Sequence, residues 1–343
     1  MNALVLTAYN TFTLEDVPTP TPRRDEVLVR VRACGICGSD VHGMDGTTGR
    51  RIPPIVMGHE AAGTIAETGD DVEGWRIGDR VTFDSTIYCG KCAYCKQDRV
   101  NLCEDRRVLG VSCEDYRQHG AFAEYVAVPA RVLYALPDAV PFEHAAMVEP
   151  AAVALHAVSH ASIVPCDSAV VIGAGMIGLL IVQALRARGY QQIIAVDVED
   201  ARLELAKRVG ADHALNANCD DVAAKVRGIV RGDGVNAAFE AVGTTATVQT
   251  AIACVCKGGA VVLIGNVSPE VTFPLQRVVT REISVFGSCA SSGEYVSALT
   301  MMAKGKIDVA PLISAVAPLQ EGPAWFSRLH GREPGLMKVL LTP

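Results

Sequence analysis

Residues 168–197 read SAVVIGAGMIGLLIVQALRARGYQQIIAVD. The apolar run SAVVIG is too short for a helix, MIGLLIVQALRARG carries helical periodicity, and QQIIAVD is a second short apolar run, so the stretch reads as strand, turn, helix, strand. The turn between the first two is GAGMIG, with Gly173, Gly175 and Gly178 around Ile177. In a strand-to-helix turn these glycines have separate tasks: a tight reversal, close approach of backbone to a pyrophosphate, and close packing of helix on strand. The helix N-terminus adds unpaired N–H groups and a partial positive charge. Asp197 ends the second strand, where a carboxylate accepts hydrogen bonds from an adenosine ribose and repels a 2'-phosphate, so the coenzyme expected is NAD. The alternative is a glycine-rich turn without ligand. Arg202, on the following helix, either flanks the adenosine or forms a surface ion pair.

Downstream, the alternation of apolar strand and amphipathic helix continues through EDARLELAKRVG to AVVLIG. It predicts a parallel, doubly wound sheet, a Rossmann domain over residues 151–290. Upstream, PFEHAAMVEPAAVALHAVSHAS, from Pro141 to Ser162, reads as a connecting helix. Residues 1–150 hold the short β-rich runs EVLVRVRAC, AAGTIAETG, DRVTF and FAEYVAV, broken by Gly, Pro and Asp, which predict a mainly antiparallel domain. The tail from 291 to 343 has no further βα unit and is expected to rejoin that first domain, giving an α/β chain of two domains. A length of 343 residues agrees, since single cores stop growing at roughly 250 to 300.

The formal net charge of -7 and the absence of a Lys/Arg run exclude long-range attraction to nucleic acid or to an anionic membrane. The N-terminus, MNALVLTAYNTFTLEDV, has no basic segment leading an apolar one, and nothing approaches the ~20 apolar residues of a membrane span. The expected location is the cytoplasm. Twelve cysteines without a signal segment argue against a disulfide framework. Cys113, Cys166, Cys219, Cys254, Cys256 and Cys289 are scattered among apolar neighbours, as small hydrophobes; the other six fall in two clusters.

In CGKCAYCKQDRVNLC, Cys89, Cys92, Cys95 and Cys103 lie within fifteen residues. Two-residue spacers bring consecutive sulfurs to one tetrahedral ion and the longer gap returns the fourth, so a closed, structural zinc site is expected. The other cluster is CGICGSDVH, with Cys34, Cys37, Ser39, Asp40 and His42, followed by Gly58-His59-Glu60. It lacks the βαβ setting of a redox CxxC. It offers one thiolate, one imidazole and one carboxylate, fewer than four strong ligands, and that shortfall is what a catalytic zinc requires to hold water or substrate.

CGICGSDVH, GHE, the four-Cys loop, GAFAEYV, VEP and GAGMIG together, in this order, resemble the zinc-dependent medium-chain dehydrogenases over essentially the whole chain. Within them the chain resembles the polyol branch, represented by the sorbitol and galactitol-1-phosphate dehydrogenases, with threonine and butanediol dehydrogenases as near relatives. The resemblance implies a GroES-like catalytic domain and a Rossmann domain, two zinc ions per chain, and a homo-oligomer, dimer or tetramer. It places Cys37 and His59 as ligands of the catalytic zinc, with Glu60 the adjacent acid and Glu149 the carboxylate that stands where alcohol dehydrogenases have a cysteine. A carboxylate is a harder ligand, able to bind directly, bind through water, or exchange with Glu60; the other reading of Glu149 is a solvated helix acid. Ser39 and His42 match the hydroxyl and imidazole of a proton relay, unless Ser39 caps a helix and His42 is simply exposed. Asp40 is the expected acceptor that fixes the His59 tautomer.

The function implied is oxidation of a secondary alcohol of a polyol or sugar alcohol to a ketone with NAD, the substrate being a small molecule. L-threonine and 2,3-butanediol are the alternatives in the same class. Arg50 and Arg51, in the loop before His59, either hold the phosphate of a phosphorylated substrate or form a solvated pair. From other classes, a zinc module binding nucleic acid conflicts with the acidic charge. A non-catalytic zinc- and nucleotide-binding protein would have no use for Cys37, His59 and Ser39 together.

Overall fold

The structure is a computed structural model that describes residues 1–161 and 168–343. Cys166, and the Ser162 end of the expected connecting helix, lie outside the described residues. The chain divides into two compact units, the first of residues 1–149, 295–303 and 309–343, the second of residues 150–294 and 304–308. The C-terminal tail therefore does not pass whole into the first unit, because Lys304–Asp308 belongs to the second.

The centre of the first unit is a seven-stranded sheet. Its strand Glu26–Gly35 shows why: in EVLVRVRACG, Val27, Val29, Val31 and Ala33 are buried while Arg30 and Arg32 face solvent, the two-residue period of a sheet with one covered face. Glu60–Thr68 and Tyr125–Pro129 flank it antiparallel, with Arg80–Phe83 beyond Glu60–Thr68. The tail joins through Lys338–Thr342, antiparallel to Glu26–Gly35, and Ile313–Pro318 pairs parallel with Lys338–Thr342. Phe83, Phe122, Phe326, Leu4, Leu6 and Ile65 fill the core beneath. The mainly antiparallel reading of residues 1–150 thus holds, with the parallel pair contributed by the tail.

The second unit holds six parallel strands in the order His213–Asn216, Gln192–Asp197, Ser168–Ile172, Val235–Glu240, Val255–Leu263, Ser284–Gly287. In chain order this is 3-2-1-4-5-6, the doubly wound arrangement, with its reversal between Ser168–Ile172 and Val235–Glu240. Ser168–Ile172 is buried throughout, as a strand covered on both faces must be.

The segment from Pro141 is two helices, Phe142–Ala145 and Val148–Ser159, where the sequence suggested one. Pro150 supplies the reason, since a residue without an N–H fits only the first turn of a helix and so requires a new start just before it.

Candidate metal and nucleotide sites

The four-cysteine loop closes on itself. The sulfurs of Cys89, Cys92, Cys95 and Cys103 lie within 4.8 Å of one another, with Cys92–Cys95 at 3.5 Å and Cys89–Cys95 at 4.0 Å. Bonds of about 2.3 Å to a tetrahedral zinc put sulfurs roughly 3.8 Å apart, so the set fits the ion. Backbone N–H groups already point at the sulfurs: Cys89 N donates to Cys103 Sγ at 3.2 Å, and Cys92 N to Cys89 Sγ at 3.4 Å. N–H groups of Glu104 and Cys95 hold the Cys92 thiol down to about 6, whereas burial pushes the Cys95 thiol up. Four thiolates at this spacing need a cation, and no position is left open for substrate.

The mixed cluster is assembled at the ends of two elements of the first unit. Cys37 caps the short helix Gly38–Gly43, and His59 and Glu60 arrive at the head of the strand Glu60–Thr68. One donor atom from each of Cys37, His59 and Glu60 lies within 4.8 Å of the other two. Asp40 Oδ1 stands 3.5 Å from His59 Nδ1, an ion-pair distance without hydrogen-bond geometry, so this buried nitrogen faces the carboxylate while making no hydrogen bond. Burial disfavours the imidazolium, but the charges of Asp40 and Cys37 outweigh it and raise the His59 pKa well above its ordinary value. Asp40 is itself fully buried; burial raises its pKa, and His59 and Arg51 reverse this and hold it far below the carboxylate range.

Glu60 carries a partner that no local motif announced. Lys338 Nζ donates to Glu60 Oε2 at 2.6 Å and to the Ile36 carbonyl at 3.0 Å, with the two side chains 3% and 1% exposed. Burial alone would discharge the ammonium, but Glu60 and Cys37 reverse that and raise its pKa. Gly35 leaves the room for this pair, because a Cβ there would overlap Glu60 Oε2. The signal for Lys338 is its place as the one charge inside LMKVLL.

Glu149 lies outside the three-donor group, an arrangement compatible with binding through water or exchange with Glu60 among the modes expected of it. Its side chain is partly accessible, yet burial raises its carboxyl to about 7, with His59 lowering and Glu60 and Asp84 raising it. It stands close enough to feel the cluster and is not packed into it. Ser39, on the helix rather than capping it, donates to Cys37 Sγ at 3.3 Å and is exposed. His42 is exposed one turn on, and among the described residues its ring makes no hydrogen bond. Arg51 is not a solvated partner of Arg50: its guanidinium is buried, with Nη2 2.8 Å and Nε 3.2 Å from Asp40 Oδ1, a commitment that counts against a role on a substrate phosphate. Arg50 is exposed.

In the second unit the glycine turn has the expected form. Gly173 has φ +95°, and a Cβ at Gly178 would overlap the Gly173 carbonyl oxygen. Gly175, which caps the helix Met176–Ala187, faces open space, as a backbone approached by a pyrophosphate must. Ile177 lies partly exposed on the first turn. Asp197 is buried, its Oδ2 accepting Ala174 N–H at 2.7 Å and its Oδ1 accepting Val198 N–H at 2.8 Å and Glu199 N–H at 3.1 Å. Oδ2 keeps one acceptor site for a ribose hydroxyl. Arg202 forms the surface ion pair, 3.0 Å from Glu199. Unforeseen was Glu240, fully buried at the end of its strand, whose Oε1 accepts the N–H of Val242 and of Gly243 and so shapes the turn against Gly173.

These features, a thiolate-closed loop, an open mixed-ligand cluster and a dinucleotide turn on a doubly wound sheet, define a metal-assisted dehydrogenase. Residues 23–138 match the profile described as Alcohol dehydrogenase GroES-like domain, and residues 177–304 that described as Zinc-binding dehydrogenase. The sorbitol dehydrogenase of Bacillus subtilis (strain 168) is 33% identical, over 100% of this chain and 97% of its own. Among solved structures, galactitol-1-phosphate dehydrogenase from Escherichia coli superposes with TM-score 0.92 at 26% identity, covering 100% of both chains. A zinc-binding dehydrogenase from Sinorhizobium meliloti 1021, solved with NADP bound, does so with TM-score 0.91 at 32% identity, covering 100% of this chain and 99% of its own. The chain belongs to the zinc-dependent alcohol dehydrogenase family, with a GroES-like and a Rossmann part, and is an oxidoreductase acting on small molecules. Among the described residues no helix is long and apolar enough to cross a membrane.

Proposed function

We propose that this enzyme oxidises a secondary alcohol of a polyol or sugar alcohol to the ketone with NAD, holding one catalytic and one structural zinc per chain. The observation that carries the reading is the cluster of Cys37, His59 and Glu60, three dissimilar donors with a fourth position open and a further carboxylate, Glu149, near it. Zinc, when bound, supplies Lewis acidity toward an alcohol oxygen, and NAD a hydride acceptor. The chain's own residues do the rest. Cys37, His59 and Glu60 hold the ion; Asp40 orients His59, and Lys338 fixes the Glu60 carboxylate. Ser39 would take the substrate's hydroxyl proton and His42 would pass it toward solvent, a relay supported by the exposure of both and by Ser39 Oγ lying 3.3 Å from the Cys37 sulfur. Gly173, Gly175, Ile177 and Gly178 present backbone to the pyrophosphate. The Asp197 carboxylate supports NAD over NADP, whose 2'-phosphate it would repel.

Relatives named for sorbitol, D-xylulose and L-idonate support the polyol class. Burial of Arg51 against Asp40 leaves only exposed Arg50 of that pair for a substrate phosphate. We read the enzyme as a cytoplasmic homo-oligomer: the described cysteines are free thiols, and exposed Leu275 and Val279 lie on the helix leading to the edge strand Ser284–Gly287. Polyols, their phosphates, 2,3-butanediol and L-threonine should be screened by NADH absorbance, with zinc counted by metal analysis. Turnover of L-threonine or the diol alone would reject the polyol reading, and a single zinc per chain would reject the two-site assignment.

A further inference from the structure

A cavity of about 570 Å³ opens within the first unit, and none of the metal-site residues lines it. That volume is in the range of small-molecule sites, roughly 300–1,000 Å³. Its floor is apolar, with Val5, Val56, Ala123 and Val126 all buried. Around it stand three exposed guanidinium groups, Arg23, Arg107 and Arg117, in a chain whose formal net charge is -7. They are weakly committed: Arg117 Nε donates to Ser112 Oγ at 3.2 Å, and Arg107 is 3.9 Å from Asp105. Arg23 makes no side-chain hydrogen bond or ion pair among the described residues. Glu15 and Glu26 share the lining, but Glu26 Oε2 is taken by the Arg23 backbone N–H at 3.0 Å.

The wall is also fixed in advance. His119 Nδ1 accepts the Val56 N–H at 3.2 Å, which leaves its Nε2 to carry the proton as a donor. Gly120 N donates to the Val56 carbonyl at 2.7 Å, Ala121 N to that of Gly58 and Phe122 N to that of Met57. A Cβ at Gly120 would overlap the Gly58 carbonyl oxygen, so the two backbone segments are in direct contact. A preformed apolar floor with unspent planar donors around it favours a ligand having a flat or branched apolar body and one carboxylate or phosphate.

We propose that this cavity is a second, non-catalytic site for a small organic anion with an apolar body, held by Arg107, Arg117 and His119. The test is calorimetric titration of the full zinc-loaded chain with phenyl phosphate and benzoate, beside uncharged benzamide and inorganic phosphate. Phenyl phosphate should bind in the low-millimolar range or tighter, and at least tenfold more tightly than benzamide or inorganic phosphate. An Arg107→Ala/Arg117→Ala double variant should weaken it tenfold or more, with the melting temperature and the zinc content unchanged, because both side chains are exposed. Removal of the catalytic zinc should leave the affinity as it was. Binding that survives the double substitution, that disappears with the zinc, or that inorganic phosphate equals would overturn the proposal, as would no binding of phenyl phosphate at all.

Discussion

Replacing Lys338 by methionine removes one charge from a buried pair and keeps most of the side-chain volume. At 2.6 Å, in an effective dielectric of about 20, the pair attracts by roughly 6 kcal/mol before desolvation is subtracted. Deleting one member of such a pair costs about 3–5 kcal/mol, because the other charge stays buried without compensation. Without the catalytic zinc, Lys338→Met should lose stability of that order. With the ion in place, Glu60 faces a second cation, and the loss should shrink to about 1.5–3 kcal/mol, the worth of a hydrogen bond to a charged group. Linkage makes the difference of about 2 kcal/mol visible again as zinc binding roughly 30-fold tighter in the variant. The assay is denaturant unfolding of both proteins, zinc-loaded and after a mild chelator has removed the catalytic ion, together with a zinc competition titration. Equal losses in the two forms and an unchanged zinc affinity would show that Glu60 does not face the ion.

Cys37→Ala should lose catalytic zinc and turnover together, whereas His42→Ala should keep the ion and lose rate with an altered pH profile; zinc loss in the histidine variant would move His42 among the ligands. Asp197→Asn keeps the Oδ1 acceptor for Val198 and Glu199 while removing the charge, and should narrow the ratio of kcat/KM for NAD over NADP at least tenfold; an unmutated enzyme without that preference would refute the carboxylate's role. Arg51→Met should destabilise by about 3–5 kcal/mol and leave the ratio of KM values for phosphorylated and plain substrates unchanged; a selective rise in KM for phosphates at constant stability would restore Arg51 as a phosphate ligand.

The parts legible in the sequence are those whose physics is local. GAGMIG is readable because Gly173 must adopt φ +95° and Gly178 must pass the Gly173 carbonyl within one turn of chain. The four cysteines are readable because their spacing alone brings the sulfurs together. Arg51 beside Arg50 in TTGRRIPP looks like a solvated loop charge, and its burial depends on Asp40, eleven residues away on a helix. Lys338 meets Glu60 across 278 residues of sequence, a pairing that exists only because the C-terminal strand inserts beside Glu26–Gly35.

That long-range pair alters the charge balance expected at the metal. One thiolate and one carboxylate, read from the sequence, would neutralise a 2+ ion between them. In the folded chain, Lys338 pairs with Glu60 and Arg51 with Asp40, so part of the negative charge near the three donors is already offset before an ion binds. A 2+ ion there would leave a net positive charge with the Lys338 ammonium so close. Glu149 is the carboxylate in electrostatic reach of His59 and Glu60, and no hydrogen bond or ion pair in the described structure occupies it. Charge balance therefore supports the proposal that Glu149 supplies the second compensating charge, from outside the close group of donors. The two glutamates differ in how they are held: Glu60 is anchored by Lys338, while no hydrogen bond or ion pair among the described residues holds Glu149.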